Sequence, residues 1–229
     1  MSRTQGRIQK IEPEAVDGDF EEFYGAVTAL LGRVPHFYRT ISNAPFLAML
    51  FLPINAAAQR EWPGTRVLGK IKEMVVIKTS HVNGCDYCYA HNTSLGQAAG
   101  ITHEQIIDMS SDDYLTSDLF NEREKSAILW AEHMTRNTAQ KNTEVYDRLR
   151  ANFTEGEIVE ITMLCAMFNM INRINDSLDV LIEEQPEIDK IQTSLHLDPV
   201  KMGDYLRWLA DHWPNEFETM NKQAEDAAA

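Results

Sequence analysis

The stretch from 153 to 184, FTEGEIVEITMLCAMFNMINRINDSLDVLIEE, most constrains what this chain can fold into. It opens with Thr154 and Glu157 in the spacing of a capping box, which satisfies the first backbone N–H groups of a helix. Its apolar residues then recur at helical spacing for several turns. The pattern is typical of one long α-helix.

Helical signals also dominate the rest of the sequence. Asn121 and Glu124 form a second capping pair, and Thr102 with Gln105 forms a third. Gly100, directly before the third pair, suits the position that closes a preceding helix. Alternating strands bounded by Asn-Gly or Asp-Gly turns do not occur in the pattern. The sequence therefore predicts an all-α fold.

No low-complexity linker divides the chain, so we expect residues 1–229 to form a single all-helical domain. Prolines are predicted to break the first third into short helices; they are Pro35, Pro45, Pro53 and Pro63. The segments 73–95 and 157–178 also resemble each other if one residue slips. Residues 126–182 are therefore a candidate for a degenerate second helical repeat.

The charge balance excludes some classes of partner. The formal net charge is -14, from 35 acidic and 21 basic residues, which argues against nucleic acid and against an anionic membrane. The first twenty residues lack the apolar core of a signal peptide, and the longest apolar run, 46–54, is about half a membrane span. We expect a cytoplasmic protein, where thiols stay reduced and three cysteines do not form a disulfide scaffold.

The segment HVNGCDYCYAHN, residues 81–92, carries the candidate chemistry. Residues 65–81 read as one helix, HVNG as its turn and residues 85–100 as the next helix. Cys85 would then lie in a first helical turn, where N–H groups and the helix dipole favour an anion. Cys88 and His91 follow at steps of three on the same face, within reach of disulfide exchange and proton transfer.

Glu73 lies twelve residues before Cys85, in the preceding helix. Its helix face also carries Val76 and Ile77, so the carboxylate borders apolar surface. Burial favours the protonated form of a carboxylate and makes Glu73 a candidate proton shuttle near neutral pH.

Other interpretations of the cysteine pair remain open at this point. A zinc site needs two further ligands at suitable spacing, and Cys165, within MLCAMFNM, is typical of a buried small hydrophobe. A thioredoxin-like pair is expected beside a βαβ unit, whereas this region reads as helical. A pair without any chemistry is the third alternative. The combination with Glu73, an Asn-Gly turn and His91 favours a redox site.

The pattern E-x11-CDYC-x2-H, from Glu73 to His91, resembles the motif of the AhpD-like alkylhydroperoxidases within the carboxymuconolactone decarboxylase family. The flanks SNAPFLAML and FTEGEIVEITMLCAMFNMINRINDSLDV extend this resemblance over 42–180, with 42–125 as its core. The resemblance implies an AhpD-like helical bundle that forms homo-oligomers. It also implies a two-cysteine peroxidase that uses no metal, flavin or other cofactor.

The resemblance also implies roles for individual residues. Cys88 would attack the hydroperoxide and become a sulfenic acid, and Cys85 would supply a proton and then condense with Cys88 to a disulfide. Glu73 and His91 would form the proton relay. A thiol or lipoyl-type partner would reduce the disulfide again.

Two positions depart from the family pattern. The best-known members have a histidine where this chain has Tyr87, and often another where it has Asn92. In this chain His91 takes the place of that second histidine as the candidate for the relay. The helix-dipole argument, in addition, favours Cys85 as the thiolate. A thiol–disulfide exchange or redox-sensing module for a protein partner is the alternative function. Lactone decarboxylation is disfavoured, because the family's decarboxylases do not use the CxxC.

Overall fold

The structure is a computed structural model that describes residues 6–213 and 217–228. These residues contain twelve α-helices: α1 Gly18–Leu31, α2 His36–Ile41, α3 Pro45–Gln59, α4 Gly69–Asn83, α5 Asp86–Ala98, α6 His103–Met109, α7 Glu122–Thr135, α8 Thr143–Arg150, α9 Glu155–Leu178, α10 Gln185–Asp189, α11 Pro199–His212 and α12 Phe217–Ala228. Within the same residues β-structure is limited to an isolated bridge between Glu61 and His196. The prediction of an all-α fold is confirmed.

The helix starts read from the sequence are present. Capping boxes open α6 at Thr102 and α7 at Asn121, each with hydrogen bonds in both directions. At α9 the backbone N–H of Thr154 donates to the Glu157 carboxylate at 2.8 Å. The predicted helix end at Gly100 is also confirmed, since the N–H of Ile101 closes α5 on the carbonyl of Gly96 at 2.9 Å.

Pro53 does not break a helix, contrary to the sequence prediction. It lies inside α3, which runs without interruption from Pro45 to Gln59. A proline in a helix leaves the carbonyl four residues earlier without its usual N–H partner. Here that carbonyl belongs to Met49, and the hydroxyl of Tyr205 donates to it at 2.7 Å. A side chain distant in sequence thus replaces the missing backbone bond.

The boundaries of α4 differ from the sequence prediction at both ends. The helix begins at Gly69 rather than Thr65, and His81, Val82 and Asn83 form its last turn instead of a loop. Only Gly84 leaves the helical conformation, with φ +70°. An Asn-Gly pair can end a helix through a left-handed glycine as readily as it can form a hairpin turn.

The chain divides into two compact units, Met1–Trp62 with Leu178–Ala229, and Pro63–Ser177. In the first, an aromatic cluster fills the core; it contains Phe20, Phe23, Tyr24, Tyr38 and Tyr205. In the second, α4 packs against α5 and α7. Its core cluster contains Met74, Ile77, Ile101, Ile106, Met109, Tyr114, Phe120 and Ile128.

The sequence-based domain boundaries stay predictions. The two segments that resemble each other in sequence also differ in structure. The first forms the α4–α5 hairpin with its turn at Gly84, whereas the second is the single continuous helix α9.

Candidate active site

The α4–α5 hairpin positions the CxxC pair. Gly84 adopts φ +70°, a left-handed conformation that a side chain would strain, and the N–H of Cys85 bonds to the carbonyl of Ser80 at 3.0 Å. The chain therefore reverses within two residues. Helix α5 begins at Asp86, so the cysteines fall at its amino end.

Cys85 is the N-cap of α5, and Cys88 is the third residue of its first turn. Their side chains are 1% and 2% exposed. Both sulfurs lie at the positive end of the α5 dipole, which stabilises a thiolate at either position. The dipole by itself does not decide which sulfur is ionised.

Hydrogen bonds distinguish the two sulfurs. The side-chain hydrogen bond with Cys88, followed by burial, raises the pKa of the Cys85 thiol. Cys85 therefore keeps its proton. The sulfur of Cys88, in contrast, accepts an N–H from the amide of Asn175 at 3.1 Å. An N–H donor stabilises the anionic form of its acceptor. The arrangement places a thiol that keeps its proton, at Cys85, beside a sulfur that accepts an N–H, at Cys88.

Sequence reasoning missed Asn175 and its neighbour Asp176, which also hydrogen-bonds the side chain of Cys85. Both residues lie on α9. A signal was available, because Asn169, Asn172 and Asn175 recur at steps of three within an otherwise apolar helix. Asn172 and Asn175 are 0% and 1% exposed, and buried amides in such a stripe need specific partners.

The same asparagine stripe sets the register between α9 and α4. The Asn83 amide donates to the side-chain oxygens of Asn169 and Asn172 at 3.1 and 2.8 Å. Asn172 in turn donates to the hydroxyl of Ser80 at 3.3 Å. These bonds fix the position of α9 along α4, so that Asn175 arrives at the sulfur of Cys88.

Glu73 is fully buried on α4, where this helix packs against α5. A methyl group built on Gly96 would lie 3.6 Å from the Glu73 Cβ and 2.9 Å from the Ile77 side chain. Gly96 thus permits the close approach of the two helices at this level. Gly96 lies two turns beyond Cys88, about 12 Å along the helix axis.

The buried polar residues of α5 within that span are His91, Asn92 and Ser94. The His91 Nδ1–H donates to the Tyr87 carbonyl at 2.7 Å, and the two rings stack with centroids 4.2 Å apart. In a neutral imidazole this leaves Nε2 as the nitrogen that can take up a proton. Asn92 donates to the carbonyl of Cys88 at 2.6 Å. Asn92, four residues before Gly96, shares the helix face of Gly96, whereas His91 does not.

Comparison with known proteins finds a similarity that covers this site. Residues 56–133 match the model of the carboxymuconolactone decarboxylase family. This range contains Glu73, both cysteines of the CxxC and His91. The match covers 78 of the 229 residues, and over this stretch the chain is similar to that family. The match is narrower than the resemblance read from the sequence over 42–180, and it ends before α9.

The individual proteins to which this chain is similar are remote in sequence. The uncharacterized protein YdfG of Bacillus subtilis (strain 168) is 28% identical over 105 residues, which cover 45% of this chain and 70% of that protein. The debrominase Bmp8 superposes with a TM-score of 0.64 at 23% identity, covering 83% of this chain and 100% of Bmp8. An AhpD-core, peroxidase-related protein from Ralstonia eutropha JMP134 gives 0.68 at 19% identity, covering 83% and 98%. These structures establish the AhpD-like fold.

Names within the family and fold range over a decarboxylase, peroxidase-related proteins and a debrominase. These names describe those proteins, and at identities of 19% and 23% the likeness to the two solved structures establishes the fold of this chain.

Cys165 is fully buried on α9 and contacts the Thr79 hydroxyl at 3.3 Å, as expected for a structural cysteine. Burial raises its pKa. In the part of the chain that the structure describes, no three His, Cys, Asp or Glu side chains converge as metal ligands. None of the described helices combines the length and the apolar character needed to cross a bilayer.

Proposed function

We propose that this protein is a member of the carboxymuconolactone decarboxylase family and a thiol-dependent peroxidase that reduces hydroperoxides through Cys88 and Cys85. The observation that carries the proposal is the unequal pair at the start of α5. The thiol of Cys85 holds its proton in a hydrogen bond with Cys88, and the Cys88 sulfur accepts an N–H from Asn175. A nucleophile next to a proton donor is what cleavage of an O–O bond requires.

In the proposed reaction the Cys88 thiolate attacks the terminal oxygen of ROOH. The O–O bond breaks, an S–O bond forms, and Cys88 becomes a sulfenic acid. The departing alkoxide takes the proton of Cys85 and leaves as an alcohol. The resulting Cys85 thiolate attacks the sulfur of Cys88 and expels hydroxide, which takes up the proton that Cys88 originally released. An external dithiol returns two electrons and two protons to the disulfide.

Burial of the pair supports a small-molecule substrate over a protein partner. Both sulfurs are nearly inaccessible, at 1% and 2% exposure. Direct disulfide exchange needs the attacking sulfur of a partner in line with the target sulfur, which a protein surface cannot reach at a buried site. A hydroperoxide is small enough to enter such a site. The same restriction favours a flexible lipoyl-type or small thiol reductant.

Titration of the thiols tests the proposal directly. One equivalent of an organic hydroperoxide is expected to consume two of the three cysteine thiols. Mass spectrometry should then find a Cys85–Cys88 disulfide, two hydrogens lighter than the reduced peptide, and an unmodified Cys165. Unchanged thiols would refute the peroxidase. A brominated pyrrole tested in parallel, the ligand class bound by the debrominase Bmp8, would show whether the pair reduces a carbon–bromine bond instead.

The proton relay gives a second set of expected results. We propose that Glu73 and His91 hold the proton that Cys88 releases, and Glu73→Gln should slow hydroperoxide consumption by about 10²-fold. His91→Ala should have a comparable effect. Asn92→Ala is the matched control on the same helical turn. It should lower the rate of hydroperoxide consumption less than His91→Ala, because an amide does not transfer a proton. A greater loss in Asn92→Ala than in His91→Ala would contradict the proposed path.

The predicted homo-oligomer stays a proposal. It rests on the apolar stretches FLAMLFLPI and MLCAMFNMI, and each keeps exposed side chains in the single chain. They are Leu47, Leu50 and Ile54 on α3, and Met163 and Met170 on α9. Burial of such side chains between copies of the chain would remove apolar surface from water.

A further inference from the structure

The proposed reaction uses only the donor end of the buried amide of Asn175. Asn175 is 1% exposed and lies on α9, 87 residues from the cysteine it contacts. Its Nδ2 lies 3.1 Å from the sulfur of Cys88. Its Oδ1 meets no hydrogen-bond partner among the described residues. An amide carries a donor and an acceptor, and here only the donor end has a partner.

We infer that Asn175 is a positioning residue for hydroperoxide attack, in which Nδ2 holds the Cys88 thiolate and Oδ1 accepts the hydrogen of the substrate O–O–H group. This inference rests on the proposed function. Oδ1 and Nδ2 are bonded to the same carbon atom. A hydroxyl group bound at Oδ1 therefore lies beside the sulfur that Nδ2 contacts. The oxygen that bears this hydrogen is the one that Cys88 attacks.

The two ends of the amide would act at different times. Before substrate arrives, the N–H donor stabilises the negative charge on sulfur. When the hydroperoxide enters, the acceptor at Oδ1 binds its O–H group. The other oxygen of the O–O bond then lies on the side away from the sulfur, in line for displacement. The hydrogen stays on the transferred oxygen and becomes the proton of the sulfenic acid. No additional reactant is needed.

The surroundings hold the amide in place for this task. Asn172, one turn earlier on α9, is anchored to Ser80 and Asn83. These bonds fix the position of α9 along α4 and therefore hold Asn175 at Cys88. Positioning by a rigid neighbouring helix is what a catalytic arrangement requires, because small displacements of a reacting group are costly in rate.

Two variants and two reagents test the inference. Asn175→Leu and Asn175→Ala remove both ends of the amide, the second without adding bulk, and cooperative thermal unfolding identifies the folded variant. Thr162→Val is the control on the same helix, because the Thr162 hydroxyl accepts from Trp130 at 3.0 Å and lies outside the asparagine stripe. The rate of labelling of Cys88 by iodoacetamide is measured at one fixed pH, with tandem mass spectrometry to separate Cys88 from Cys85.

The rate of Cys88 labelling should fall about tenfold in the Asn175 variants, because the sulfur loses its N–H donor, and should stay unchanged in Thr162→Val. An unchanged or higher labelling rate would overturn the role of the donor. Both reagents react with the thiolate, so the fraction of thiolate affects both rates equally. The variants should therefore lose about tenfold more rate with an organic hydroperoxide than with iodoacetamide at the same pH.

Equal losses with the two reagents would overturn the role of Oδ1. A wild-type protein that labels normally but never reacts with hydroperoxide would refute the proposed function and with it the role of Oδ1. The labelling rates would still decide the role of the donor.

Discussion

Cys88→Ser is expected to lower the rate of hydroperoxide reduction by about 10³-fold or more. A serine hydroxyl at neutral pH is almost entirely protonated and is a poor nucleophile, and this site has no base that would activate it as strongly as ionisation activates a thiol. The fold should persist, since serine is slightly smaller than cysteine and its oxygen can still accept the N–H of Asn175. Hydroperoxide consumption checks the expected loss of activity, and thermal unfolding of the same sample checks that the fold persists.

Cys85→Ser separates the roles of the two cysteines. Cys88 would still attack, but the sulfenic acid would have no neighbouring thiol with which to condense. A dimedone-type probe should therefore label Cys88 after one equivalent of hydroperoxide. Full activity in Cys88→Ser together with lost activity in Cys85→Ser would reverse the assignment. It would also favour the helix-dipole argument over the hydrogen bonds of the pair.

The largest effect on stability is expected for Glu132→Gln. The Glu132 carboxylate accepts from Lys78 Nζ and from the Tyr114 hydroxyl, each at 2.9 Å, and Lys78 is 2% exposed. The variant would leave the buried ammonium of Lys78 without its counter-charge, although two backbone carbonyls and the Tyr114 ring remain in contact. Loss of one partner of a buried pair destabilises a protein by about 3–5 kcal/mol. Urea unfolding monitored by circular dichroism measures this difference.

Glu122→Gln is the matched control on the same helix. Glu122 pairs with Arg148 at 2.9 Å, but its side chain is 64% exposed. Exposed pairs contribute about 0–1 kcal/mol. Similar losses in the two variants would contradict the assignment of a special role to the Lys78–Glu132 pair.

The same pair predicts a pH dependence. Burial by itself would raise the pKa of Glu132, but the hydrogen bond and charge of Lys78, with Tyr114 and Arg136, outweigh burial and lower it. A carboxyl with a lowered pKa in the folded state adds stability above its ordinary value of 4.5 and loses it as the pH falls through the folded value. The stability difference between wild type and Glu132→Gln should therefore shrink as the solution is acidified below 4.5.

Local features of this fold could be predicted from the sequence, because their causes lie within a few residues. The caps at Thr102 and Asn121 each depend on partners three residues apart. The contact between Asn175 and Cys88 spans 87 residues and depends on the packing register of α9. No spacing within the CxxC segment encodes that register.

The prediction that Pro53 breaks a helix was wrong for a related reason. The local rule was sound, since a proline does remove one backbone bond. What overrode it was a hydroxyl 156 residues away from the orphaned carbonyl. The assignment of Cys88 as nucleophile, in the same way, could be carried over from a family resemblance, whereas the dipole argument alone pointed to Cys85.

The first compact unit combines the two ends of the chain, whereas the second is continuous from Pro63 to Ser177. Hydrogen bonds that close the first unit span long stretches of sequence, 134 residues from Arg60 to Ser194 and 147 from His36 to Glu183. During synthesis on the ribosome, at about 5–20 residues per second, the continuous unit emerges complete before these bonds can form. The amino-terminal helices have to wait, with apolar faces uncovered, until residues 178–229 have left the exit tunnel. A chain that stalls or is cut before that point would present these helices to chaperones.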